Sequence, residues 1–137
     1  MGISYQDAVR NTRMTDVVNA LGTTAYMEIF TGPPPGKTSG TFNADSGTKL
    51  ASLPMSNPVA GTPSAGVLTF SAITSENALA SGTPGYFRMK TAQNGAASTV
   101  IVEGDAGVGS GSLNFNSTIA SGGSVSITSA TITEGSA

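Results

Sequence analysis

One stretch of helical spacing, and no second one, decides what this chain can become. Tyr5, Ala8, Met14, Val18 and Leu21 supply most of an apolar stripe at helical spacing, while Arg10, Asn11 and Asp16 fall largely outside it. Ser4 is placed as an N-cap with Asp7 three residues on, an acidic variant of a capping box that also suits the helix dipole. Gly22 stops the helix in a left-handed conformation. The spacing predicts a helix over 5–20, too short to stand alone in water. It must lie against its own sheet or a neighbouring subunit.

Beyond Gly22 the period changes from 3.6 to 2, broken repeatedly by glycine and proline. The first strand is expected over 25–31. Tyr26, Glu28 and Phe30 alternate with Ala25, Met27 and Ile29, and both sets are mostly apolar, so this strand is central or covered on both faces. Pro33, Pro34 and Pro35 then remove the donors a ladder needs, and 36–48 reads as a long exposed loop with Phe42 as its only large apolar residue. Further strands are expected over 49–55, 67–73, 86–91, 98–103, around Leu113 and Phe115, and over 124–133 with a bulge near Thr128 and Ser129. In the 86–91 strand Phe87 and Met89 point inward and Arg88 and Lys90 outward. Asn94-Gly95 signals a hairpin, and 104–111 reads as a glycine-rich turn. Seven or eight short strands behind one helix predict a mainly β fold, a β-sandwich or jelly roll, as a single domain over 1–137.

Composition narrows the chemistry. There is no histidine and no cysteine, which removes the usual general base, the commonest metal ligand, thiolate metal sites and disulfides. Charged residues are 10 % of the chain, against roughly 25 % in ordinary soluble domains. With a net charge of −2 and scattered lysines there is no basic stripe for nucleic acid. No apolar run approaches the roughly 18 residues of a membrane span, and the N-terminus lacks the basic region and apolar core of a signal peptide.

Three motifs imitate chemistry. Gly32 to Thr38 reads G-x-x-x-G-K-T, one residue short of a phosphate-binding loop, and its three prolines lack the N–H groups that such a loop uses. A rigid linker leaving a strand, or a proline ligand for a partner's aromatic groove, explains it better. Gly107 to Gly111 has the glycines of a dinucleotide fingerprint but leads into a strand, not a helix. Glu103, Asp105 and Asp45 are read as solvated turn carboxylates, and Tyr5, Tyr26, Phe30, Tyr86 and Phe87 as core aromatics rather than a sugar platform. No catalytic, cofactor or metal residue is assigned, and an enzyme is not expected.

The order of elements carries a resemblance. The helix segment Asp7-Ala8-Val9-Arg10-Asn11 leads to Ala20-Leu21-Gly22 and the strand Tyr26-Met27-Glu28-Ile29-Phe30-Thr31-Gly32-Pro33-Pro34. There follow Leu50-Ala51-Ser52-Leu53-Pro54, Gly66-Val67-Leu68-Thr69-Phe70, Ala80-Ser81-Gly82-Thr83-Pro84-Gly85-Tyr86-Phe87-Arg88, and an ending over 119–135. Over nearly its whole length the chain resembles a family of small proteins encoded among the virion genes of tailed bacteriophages. That family commonly has R-I-Y-D-G where this chain has Glu28-Ile29-Phe30-Thr31-Gly32. The resemblance implies a non-enzymatic virion component, made in the bacterial cytoplasm, that decorates or cements the capsid. A neck collar, a tail ring, or a sandwich module binding host glycan or receptor are its alternatives. Expected partners are copies of the chain itself and the major capsid protein or other virion proteins, with no cofactor, nucleic acid or membrane. Tyr5, Val9, Arg10, Arg13, Pro33, Pro34, Pro35 and Phe42 are the candidate interface residues.

Overall fold

A computed structural model of the chain describes residues 3–133. Helix α1 runs Asp7–Leu21, with Gln6 rather than Ser4 at its N-cap. The acidic first turn acts through a side-chain pair instead: Asp7 Oδ1 accepts from Arg10 Nη1 at 3.0 Å. Gly22 ends the helix at a φ of 72°, its N–H donating to Val18 O. The apolar stripe is shorter than its spacing suggests. Met14 and Leu21 are buried with Val17 and Val18 beside them, whereas Tyr5 and Ala8 are exposed.

The main sheet has five strands in the order β4-β1-β7-β8-β9: β1 Tyr26–Thr31, β4 Lys49–Pro54, β7 Pro84–Lys90, β8 Val100–Val108 and β9 Leu113–Phe115. Strand β1 lies inside the sheet between β4 and β7 and is buried through its middle, as its two-sided apolar pattern requires. Short ribbons join β2 Lys37–Thr38 to β3 Thr41–Phe42, β5 Val67–Thr69 to β11 Thr131–Thr133, and β6 Glu76–Asn77 to β10 Ser124–Val125. The molecule is mainly β with one short helix. The closing segment is not one bulged strand: its two ends pair with different partners, β6 and β5.

Side chains alternate across the sheet. One face carries Met27, Ile29, Ala51, Leu53, Phe87 and Met89, and packs with Met14, Leu21, Leu68 and Phe70 into the apolar core. The other face carries Glu28, Phe30, Ser52, Tyr86, Arg88, Lys90 and Glu103. On β7 the alternation points that second face at solvent, but loop 32–48 folds over it.

Three glycines account for the length of β8 and the turn that follows it. Residues 104–108 are strand, not turn, because Gly104 is a packing glycine: a Cβ there would lie 2.6 Å from Phe87 Cε1. The chain turns only at 109–112, and β9 then returns parallel to β8, Ala106 opposite Leu113. Parallel neighbours normally need a crossover of about a dozen residues. Here Gly109 and Gly111, at φ 71° and 87°, allow a tight reversal.

Candidate functional site

The strand pairing builds a charged cluster from residues remote in sequence. Glu28 on β1 lies opposite Arg88 on β7, and Arg88 lies opposite Glu103 on β8. Ser52 on β4 flanks Glu28 from the other side. Lys90 follows Arg88 by two residues and therefore shares its face. Lys49 stands at the start of β4, and Asp45 descends from the covering loop. Three cations and three carboxylates thus gather in one place, from a chain with six Lys/Arg and eight Asp/Glu.

The side chains of Glu28, Arg88 and Lys90 are 0 % exposed and that of Glu103 is 8 % exposed, so none of these charges can rely on water. Lys90 Nζ lies 2.7 Å from Asp45 Oδ2 and 2.8 Å from Glu28 Oε1, and donates to Gly95 O at 2.9 Å. Arg88 Nε donates to Glu103 Oε2 at 2.9 Å, with Nη2 2.7 Å from the same oxygen. Arg88 Nη1 donates to Asn43 O at 2.7 Å and to Asp45 Oδ1 at 3.0 Å. Glu28 Oε2 accepts from Lys49 Nζ, Ser52 Oγ and the Asn94 N–H at 3.0–3.1 Å. Burial pushes the Glu28 carboxyl up and is the largest single influence. The hydrogen bonds from Lys90, Asn94 and Lys49, with the charge of Lys90, together outweigh it and hold the group below its ordinary value.

Aromatic rings frame the cluster. Phe30 and Tyr86 stack with centroids 4.8 Å apart. The Arg88 guanidinium sits 5.7 Å from the Phe42 centroid and 5.8 Å from that of Tyr86. Tyr86 Oη takes the Ser46 N–H at 2.9 Å and donates to Ser46 O at 2.7 Å, a second clasp on the loop. At the loop's base, Thr31 and Thr48 are joined by Thr31 N–H to Thr48 O and by Thr48 N–H to Thr31 Oγ1.

Several expectations change. Arg88 and Lys90 are not outward and solvated, because loop 32–48 covers the face they occupy. Asp45 and Glu103 are ion-pair partners rather than solvated turn carboxylates. Asp105 does stand in solvent, but it accepts from Ser112 Oγ and N–H across the glycine turn, and these bonds hold its carboxyl below the ordinary value. In the phosphate-loop imitation, the Gly36 N–H already donates to Glu103 Oε1 at 3.1 Å, an internal anion where a phosphate would sit.

The candidate interface residues do not form one surface. Tyr5, just ahead of α1, and Val9 and Arg13 on it are exposed, with the Arg13 guanidinium 4.2 Å from the Tyr5 centroid. Arg10 is half-buried and packs on Gly66, whose N–H donates to Asn11 Oδ1 at 2.8 Å, so these residues fasten the helix to the 64–67 turn. Pro33 and Pro34 are exposed, whereas Pro35 and Phe42 are half-buried within the loop that covers the opposite, charged face.

Two further features matter for function. A groove of about 430 Å³ opens on the apolar side between the sheet and 129–133, lined by Met27, Phe87, Met89, Leu113 and Ile132 among others. Among the described residues no group of three or more acidic, histidine or cysteine side chains gathers as a metal site, and no helix is long and apolar enough to cross a membrane. Compared with family models, with curated proteins and with solved structures, the chain gives no match.

Proposed function

We propose that this protein is a non-enzymatic structural component of a tailed-bacteriophage virion, within which it decorates or cements the capsid. The observation that carries the reading is the closed charge balance of the buried cluster. Lys49, Arg88 and Lys90 face Glu28, Asp45 and Glu103, so the densest chemistry in the chain is turned on itself and fastens a surface loop. A site built for turnover leaves donors or acceptors aimed at a substrate. The resemblance of the whole element order to virion proteins supplies the setting.

The same proposal includes a sandwich-like arrangement, with the β5–β11 and β6–β10 ribbons as a second layer over the apolar face of the main sheet. Its partners are further copies of the chain and the major capsid protein, and the mechanism is burial of apolar area and strand edges between subunits, repeated by symmetry. Exposed Ile3 and Tyr5 ahead of α1, Val9 on it, and Leu79 beside strand β4 are apolar groups of the kind such contacts cover. The test is quantitative mass spectrometry of purified particles. On the order of hundreds of copies per particle supports decoration, about a dozen moves the protein to a collar or tail ring, and absence from the particle overturns the reading.

A further inference from the structure

At the centre of the cluster Lys90, Asp45 and Glu28 meet at charge-assisted hydrogen-bond distance. The Lys90 amine is fully buried, 5.5 Å from the Phe30 centroid, and lies 2.7 Å from Asp45 Oδ2 and 2.8 Å from Glu28 Oε1. The two oxygens of Asp45 are divided between partners, Oδ1 on Arg88 and Oδ2 on Lys90. The two oxygens of Glu28 are divided as well. Oε2 carries three hydrogen bonds, while buried Oε1 lies 2.8 Å from Lys90 Nζ.

We propose that Lys90 and Asp45 join covalently within the folded chain, as an amide between Lys90 Nζ and Asp45 Cγ, with Glu28 as the acid–base group.

The step is a condensation and needs no co-reactant. Glu28 Oε1 takes a proton from the Lys90 ammonium, and the neutral amine attacks Asp45 Cγ. Arg88 Nη1 holds Oδ1, the oxygen on which negative charge collects as the carbon becomes tetrahedral. Glu28 returns the proton to Oδ2 and relays the second proton from nitrogen. The Cγ–Oδ2 bond then breaks and water leaves. One N–C bond forms, one C–O bond breaks, and an ammonium and a carboxylate become an amide and water.

Three physical circumstances favour the reaction here. Two groups held in contact react as a unimolecular pair, with effective molarities of about 10⁵–10⁸ M in well-oriented cases. A buried ion pair carries a desolvation cost that a neutral amide does not. Asp45 is on the loop with its side chain 32 % exposed, so the water released has a path to solvent. Glu28 is the less suitable acyl partner, being fixed within β1 by three hydrogen bonds to one oxygen. The bond would tie loop 32–48 to the central strand β7 and close a ring through residues 45–90. For a protein exposed on a particle surface, that resists proteolysis and unfolding without any cysteine.

The experiment is intact-mass spectrometry of the purified full-length chain after folding at neutral pH, followed by tandem mass spectrometry of its peptides. The expected result is a mass one water below that of the sequence, allowing for removal of Met1, with the peptides containing Asp45 and Lys90 joined. Lys90→Arg keeps the charge but cannot form the amide and should show the full mass. Glu28→Gln should do the same. Asp45→Asn should lose ammonia instead of water where it reacts. A folded wild-type chain that keeps its full mass after prolonged incubation overturns the proposal, whatever the variants do. So does a water loss that maps to any other pair, Lys90–Glu28 and Lys49–Glu28 included.

Discussion

Replacing Arg88 by methionine tests how the charged face is held together. The side chain is 0 % exposed, and its guanidinium engages Glu103, Asp45 and Asn43 O within 3.0 Å. Methionine fills much of the same volume but removes the charge. Asp45, with its side chain 32 % exposed, can turn to water and to Lys90. Glu103, 8 % exposed, keeps only the Gly36 N–H among the partners described above. Stranding one member of a buried pair costs about 3–5 kcal/mol. That is a large share of the roughly 5–15 kcal/mol by which domains are stable, and for a chain of this length it lowers Tm by about 12 °C. The assay is urea unfolding followed by circular dichroism, on proteins whose cross-link state is known from their mass.

A double variant separates this mechanism from a loss of packing. In Arg88→Met/Glu103→Met no carboxylate is stranded, and the pair becomes an apolar contact beside Phe42 and Tyr86. Such replacements are often neutral or better, so most of the lost stability should return, giving a coupling of about 2 kcal/mol or more in the cycle. A single variant that loses less than about 1 kcal/mol, the range of an exposed pair, would refute the burial argument. So would a double variant no more stable than Arg88→Met alone.

Acid and backbone spacing provide two further tests. The folded-state pKa of Glu28 lies below its ordinary value of 4.5, so its contribution is fully present above that pH and is lost as pH falls through the folded value. The urea midpoint should therefore drop as the pH is lowered below the ordinary value of 4.5, and Glu28→Gln should flatten the drop; an unchanged slope would exclude Glu28 as its source. Exposed Asp105 shifts in the same direction, and Ser112→Ala should return its carboxyl toward the ordinary value in an NMR titration. Gly85→Ala places a Cβ 2.0 Å from the backbone oxygen of Gly32, whereas Gly104→Ala places one 2.6 Å from the edge of the Phe87 ring. Overpacking costs about 1–3 kcal/mol where a side chain can yield, so Gly85→Ala should be the more damaging in thermal denaturation; the reverse order would show that β1 and β7 separate more easily than the ring turns.

Local chemistry made part of this architecture legible in the sequence. The helix and its glycine stop, the two-sided burial of β1 and the alternation that puts Arg88 and Lys90 on the face opposite Phe87 and Met89 all follow from side-chain periods and backbone limits. The same reasoning finds β1, β4 and β7 near their true places. It misreads 104–108 because a glycine that makes room for Phe87 looks the same in sequence as a glycine that turns the chain.

What covers the second face was decided only in three dimensions. Apart from Arg88 and Lys90, which alternate on one strand, Glu28, Asp45, Lys49 and Glu103 share no spacing, and nothing local joins them to that pair. They meet because β1, β7 and β8 pair in one register and because loop 32–48 is pinned back through Tyr86 and Thr31. Periodicity tells which side of a strand a residue occupies. Whether that side meets water depends on segments tens of residues away, and here that difference turns six surface charges into the most tightly coupled part of the molecule.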